Sequence, residues 1–273
     1  MVADGVNGVR RARGLGSCAS SEVAEFAPTW LWSCKTGVVL KLMVSLTMFA
    51  IMATPTTGQA QVQEGRGGQY GADGAPLSYL VLGDSTAAGV GADYQQGIAV
   101  SSAKALGASR SVTMTNVSVS GARIRNVVRL QLPAAAGGRP DVVLLSVGAN
   151  DVTHLTCVRS MRSDLREIVT KLRSVNPDVA IVITGSPDMG SPPRIPRLLR
   201  GIASRRTVVV NRMFVAEAKS LGLMFAPIAR ETGPLFRKDP SLFGEDRFHP
   251  NERGYAIWTS VLNAALAVAL GKG

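Results

Sequence analysis

The chain has 273 residues, 46% of them hydrophobic, and a formal net charge of +11. That length holds one large domain or two small ones, and the apolar share excludes wholesale disorder. The positive balance favours anionic lipids, acidic glycans or nucleic acid as partners; with no basic-aromatic stripe and no zinc-finger spacing, nucleic acid is set aside.

The first 60 residues carry five Lys/Arg and three Asp/Glu, which leaves 25 basic and 16 acidic residues, a net +9, for the remainder. Residues 42–53 (LMVSLTMFAIMA) form an apolar run after Lys35 and Lys41 and before Pro55 and Thr57-Gly58-Gln59-Ala60. A basic flank, a short apolar stretch and small residues at a cut site describe a secretory signal peptide, with cleavage expected after Ala60. The run is shorter than the roughly 20 residues of a membrane-spanning helix. An uncleaved membrane anchor is the alternative. Residues 1–34 are long for a leader, as a translation start assigned too early would produce. The expected location is therefore outside the cell or in its envelope. Residues 61–76 are polar and Gly-rich and read as a flexible linker into a domain over 77–273.

Within the domain, short apolar runs alternate with longer amphipathic stretches. Strands are expected at 79–82, 112–119, 141–147, 179–184 and 223–228. Helices are expected at 98–106, at 124–132 with Pro133 ending it, at 161–175 and at 207–221. A last helix is expected over 251–270 with Pro250 in its first turn. Residues 187–206, with Pro192, Pro193 and Pro196, read as an irregular loop. Strict alternation of strand and helix predicts a parallel sheet covered on both faces.

In such sheets, sites form beyond the carboxyl ends of the strands. Ser85 follows the first apolar strand, Gly121 the second, and Asn150 and Asp151 the third, while His249 precedes the last helix. All fall on one rim. Histidine occurs only twice, so the choice of a base is nearly forced. Ser85 is the candidate nucleophile, His249 the base that takes its proton, and Asp246 the carboxylate that orients the imidazole. The N–H of Ser85, the N–H of Gly121 and the amide of Asn150 are candidate oxyanion donors. Asp84 and Asp151 are supporting residues that brace turns. Taken singly, each match also fits a cap, a turn or a surface loop; the ordered set on predicted strand ends carries the reading.

Gly83-Asp84-Ser85-Thr86-Ala87-Ala88-Gly89, Gly121, Gly148-Ala149-Asn150-Asp151 and Asp246-x-x-His249 resemble the four blocks of the SGNH (GDSL-type) hydrolases. The resemblance runs from about residue 78 to 270 and is strongest to a bacterial, secreted lipase/esterase branch. It implies a three-layer α/β/α sandwich on a flavodoxin-like five-stranded parallel sheet. It also implies a Ser85–His249–Asp246 triad and an oxyanion hole of Ser85, Gly121 and Asn150, with no cofactor and no metal. Thr86 stands where the motif's name places Leu.

The expected activity is hydrolysis of small-molecule or lipid carboxylic esters by a monomer. The alternatives are O-acyl transfer or deacetylation on envelope glycans, and a non-catalytic envelope-binding module. The arginines between Arg194 and Arg212 form a candidate contact for anionic lipid or envelope polymer, against the plainer reading of a solvated face. His154 reads as a pocket-wall or structural residue. The three cysteines show no disulfide framework, and Cys157 reads as a small buried residue.

Overall fold

A computed structural model describes residues 66–271. The signal-like run, the expected cut after Ala60, Cys18 and Cys34 lie outside the described residues. Among the described residues no helix is long and apolar enough to cross a membrane.

The chain forms β1 (Arg66–Tyr70), β2 (Pro76–Gly83), α1 (Ile98–Gly107) and β3 (Ser111–Asn116). The helical run α2 covers 124–134, and β4 (Val142–Ser146), α3 (Ala149–Thr153), α4 (Val158–Val175) and β5 (Ala180–Ile183) follow. The remaining elements are α5 (Arg197–Leu221), β6 (Met224–Phe225), α6 (Ile228–Lys238) and α7 (Glu252–Ala269). The sheet order is β1-β3-β2-β4-β5-β6. Strands β3, β2, β4, β5 and β6 are parallel, the flavodoxin-like order. β1 adds a sixth, antiparallel strand on β3, with Arg66 opposite Asn116 and Tyr70 opposite Val112. Part of the segment read as a linker is thus an edge strand. Its Gly67-Gly68 pair breaks any apolar alternation; backbone pairing with β3 holds the strand, helped by Arg66 over the Tyr94 ring and Tyr70 against the core.

The central strands bury both faces. On one side Leu80, Leu82, Val143 and Leu145 pack against α2, α4 and α5. On the other Tyr79, Val81, Val142 and Leu144 pack against α1, α6 and α7. Each fully buried aliphatic side chain contributes about 1.5–3 kcal/mol; β4, buried at all five positions, is the spine of both layers. β3 lies nearer the edge, and it buries Val112 and Met114 while Thr113 and Thr115 stay exposed.

Three helix boundaries differ from expectation. Pro133 does not stop α2 at Leu132; the helical run continues one residue past the proline, to Ala134. Pro250 precedes α7 and pairs with Phe243 in an isolated bridge, while Asn251 caps the helix by accepting the Gly254 N–H at 3.1 Å. α5 begins at Arg197, ten residues before its expected start, since Pro196 suits a helix entry and arginine is a good helix former. Helix α6 escapes sequence inspection because Gly233 and Pro234 interrupt the spacing of Ile228, Thr232 and Phe236, yet it forms with Pro234 inside it. Cys157, read as a small buried residue, is half-buried just before α4.

Inside α2, Val127–Gln131 forms a π-helical turn, a local widening often found at functional sites. It delivers Gln131, which is fully buried, to the end of β2. There its carbonyl accepts the Gly83 N–H at 2.8 Å and its amide donates to the Gly83 carbonyl at 2.7 Å. Gly83 therefore has both backbone groups satisfied where the ladder ends. Gln131→Leu would leave the Gly83 N–H buried without an acceptor, at a cost of about 1–3 kcal/mol. Urea unfolding should show that loss as a lower midpoint with an unchanged slope.

Candidate active site

Ser85 sits two residues beyond β2 and is 7% exposed. The strand leaves the sheet through Gly83 at φ +152°, where an added Cβ would lie 2.0 Å from the Ser146 carbonyl oxygen. The following turn is fixed by Asp84, whose Oδ1 accepts the Thr86 N–H at 2.9 Å and the Thr86 hydroxyl at 2.8 Å. The Thr86 hydroxyl also lies 3.0 Å from Ser146 Oγ on the neighbouring strand. Threonine at the position of the motif's leucine thus ties the Ser85 turn to β4. Burial raises the Asp84 carboxyl, and the Thr86 hydrogen bonds and His249 oppose that. Asp84 braces the turn and does not enter the Ser85–His249–Asp246 row.

His249 reaches Ser85 from the loop between α6 and α7. Its Nε2 lies 2.8 Å from Ser85 Oγ and its Nδ1 2.5 Å from Asp246 Oδ2. With the proton on Nδ1 donated to the carboxylate, Nε2 is free to accept from the serine hydroxyl. Asp246 Oδ1 accepts the N–H groups of Phe248 at 2.9 Å and His249 at 3.0 Å. Burial pushes the Asp246 carboxyl up, but the hydrogen bonds from the His249 ring, His249 N–H and Phe248 N–H outweigh it and bring it down to about 2. Its contribution to stability is therefore present above about pH 4 and lost as pH falls through about 2.

The meeting of two segments 164 residues apart depends on glycines that the motif reading did not single out. Gly91 has φ +99°, and a Cβ there would lie 2.5 Å from the Pro250 carbonyl oxygen and 2.7 Å from His249 Cβ. A Cβ on Gly244 would lie 2.7 Å from the Gly91 carbonyl oxygen. The Tyr255 hydroxyl donates to the Val90 carbonyl at 2.7 Å and holds the same turn against α7. The Gly89-Val90-Gly91 sequence was the available signal. Gly91→Ala should push the imidazole away from Ser85 and lower kcat about 10²-fold, as misplacements near 1 Å do. Steady-state kinetics beside a melting curve that stays cooperative would check it.

Gly121 lies exposed at φ +79° on the loop after β3, with open space where a Cβ would stand. Asn150, in the first turn of α3, donates its amide to the Ala122 carbonyl at 3.1 Å, which holds it beside the Gly121 loop. Asp151 Oδ2 accepts the Ile124 N–H at 3.0 Å and makes a second link between the same two segments. The N–H groups of Ser85 and Gly121 have no acceptor among the described residues. His154 does not join the row; its Nδ1 lies 2.8 Å from the Asn150 carbonyl and 3.2 Å from the Thr153 hydroxyl. Among the described residues no cluster of His, Cys, Asp or Glu could hold a metal ion.

Burial pushes the Asp151 carboxyl up to about 6, against the Ile124 N–H. The fold therefore favours its protonated form, and that stability is present below about pH 4 and lost as pH rises through about 6. Asp151→Asn stays neutral throughout. Relative to wild type, its unfolding free energy should climb between pH 4 and 6 and then level off, as paired urea titrations would reveal.

A cavity of about 30 Å³ opens beside Ser85, lined by Met189, Phe236, Phe243, Phe248 and Trp258 among others. Phe236 meets Phe243 edge-on at 5.3 Å and Trp258 at 5.5 Å. The chain is only 5% aromatic, so this concentration is not visible from composition. Asp188, also unforeseen, lies in the wall and accepts from the hydroxyls of Ser191 at 2.9 Å and Ser204 at 2.7 Å.

A serine, an imidazole and a carboxylate in one hydrogen-bonded row, at the carboxyl edge of a flavodoxin-like sheet, place the molecule among the α/β hydrolases of SGNH type. Residues 81–257 match the GDSL-like Lipase/Acylhydrolase family, and the chain belongs to it. It is 31% identical over 197 residues to the GDSL-like esterase Rv1075c of Mycobacterium tuberculosis, covering 70% of this chain and 62% of that relative's length. The crystal structure of TesA is similar in fold, with a TM-score of 0.58 at 20% identity over 70% of this chain and 99% of its own. That of phospholipase A1 from Streptomyces albidoflavus NA297 has a TM-score of 0.53 at 20% identity, over 69% and 99%.

Proposed function

We propose that the protein is a serine esterase that hydrolyses carboxylic esters with short acyl groups through an acyl-Ser85 intermediate. The observation that carries this reading is the 2.8 Å approach of His249 Nε2 to Ser85 Oγ, with Nδ1 anchored on Asp246. Family membership and the fold of the similar structures support it.

In this reading Ser85 Oγ attacks the ester carbonyl and its proton passes to His249 Nε2. Asp246, held ionised, stabilises the imidazolium. Negative charge develops on the carbonyl oxygen and is met by the N–H groups of Ser85 and Gly121 and the Asn150 amide. The tetrahedral species expels the alcohol, which takes the proton from His249. Water then attacks the acyl-serine, gives its proton to His249, and the second collapse returns that proton to Ser85 Oγ and releases the acid.

The cavity supports a short acyl group. The enclosed space of about 30 Å³ admits on the order of two water-sized groups, which favours an acetyl methyl over a long chain. Hydrolysis of p-nitrophenyl acetate should be abolished by Ser85→Ala with the fold intact. Asn150→Ala should cut kcat about 10²–10³-fold. A fluorophosphonate should label Ser85 in the wild type. Full activity in Ser85→Ala would end the proposal.

A further inference from the structure

The arginines between Arg194 and Arg212 do not all face one surface. Arg206 is 2% exposed. Arg200 turns back to donate to the carbonyls of Ile195 at 2.9 Å and Pro193 at 3.0 Å. Exposed cations gather instead at the far edge of the sheet. β6 is the last strand and only two residues long. α5 packs on one face of the sheet and α6 on the other, so both overhang this short strand and leave a groove of about 910 Å³ between them. That is the size of a small-ligand site.

The groove has one apolar and one cationic character along the same wall. Val208, Arg212, Val215 and Lys219 line it from α5. Their spacings of four, three and four residues put all four side chains on a single helical stripe. Val208 is 49% and Val215 48% exposed, unusual for valines that have a sheet to pack on. Leu223, Met224 and Phe225 also line the groove, and Pro227, Arg230, Pro234 and Arg237 line it from the side of α6. Its one acidic lining residue, Asp188, is already bonded to Arg237 at 3.2 Å and to two serine hydroxyls. Arg230 is paired with Glu231. Arg212 and Lys219 join no ion pair among the described residues. The groove therefore presents uncompensated positive charge beside exposed apolar surface.

We propose that this groove binds a single-chain anionic amphiphile, with the alkyl tail along Val208, Val215 and Phe225 and the head group on Arg212 and Lys219. Charge complementarity sets the sign of the ligand, and the exposed valines call for a hydrocarbon tail. A peptide strand added to the sheet edge is disfavoured, because two residues of β6 offer too few backbone partners to template one. The groove shares the Asp188 wall with the cavity beside Ser85 but is not lined by Ser85, His249 or Asp246, and the proposal does not rest on the esterase reading. A twelve-carbon chain exceeds the cavity beside Ser85, so the two places are separable by ligand size.

Calorimetric titration of the protein with laurate, below its micelle concentration, tests this. Wild type should bind it, and Arg212→Glu and Val215→Glu should each weaken binding by about tenfold or more, with circular dichroism melting curves confirming that both remain folded. Dodecyltrimethylammonium, with the same tail and opposite charge, should bind at least about tenfold more weakly than laurate. Unchanged laurate affinity in both variants would overturn the proposal. So would equal affinity for the cationic amphiphile, or binding to phosphatidylglycerol vesicles with none to laurate. If one variant fails to fold, Lys219→Glu on the exposed end of the same stripe replaces it under the same criteria.

Discussion

The site exists only because two backbones approach where no side chain fits. The turn at Gly91 and the loop carrying Gly244, His249 and Pro250 would overlap if either glycine had a Cβ, with distances of 2.5–2.7 Å to the opposing main chain. A hydrogen bond between Ser85 and His249 requires that approach, and the hydrogen bond is worth little without it. The Tyr255–Val90 contact and the Asn251 cap then hold the loop from the side of α7. Hydroxyl, imidazole and carboxylate are positioned by packing around the row more than by bonds within it.

The side that carries the proposed oxyanion donors follows the same logic with different parts. Asn150 and Asp151 are adjacent on one turn, and each reaches the loop after β3 with a separate hydrogen bond. Two links at neighbouring residues resist rotation where one would act as a pivot. The cost is a buried carboxyl whose charge the fold resists. Gln131 acts comparably on β2, giving the Gly83 N–H a side-chain acceptor and sharing the Gly83 carbonyl with the Val119 N–H. Each device fixes backbone just beyond a strand end, where the regular ladder has stopped.

The parts of the molecule legible in the sequence are those whose signal is local. β2 and β4 are nearly unbroken apolar runs because both of their faces are covered. Ser85, Asn150, Asp246 and His249 could be grouped because a parallel sheet puts successive strand ends on one rim. β1 was illegible because a glycine-rich edge strand carries no apolar alternation and is held mainly by its backbone pairing with β3. α6 was hidden by a proline that its tertiary contacts tolerate, and the start of α5 by prolines just upstream. Gly91 and Gln131 matter through partners more than 45 residues away, and a single chain carries no mark of such partnerships. In the arginine-rich segment, charge along the sequence does not say which guanidinium turns inward, as that of Arg206 does.

The strand order gives the sheet two unlike borders. On one side β1 seals β3, and the described chain enters there at Arg66. On the other, β6 stops after two residues and leaves the groove. Five inter-strand steps of about 4.8 Å separate the borders, so the point of entry and the basic groove stand about 24 Å apart across the molecule. A tether attached upstream and a ligand seated downstream would pull on opposite flanks, with the row of Ser85, His249 and Asp246 on the rim between them.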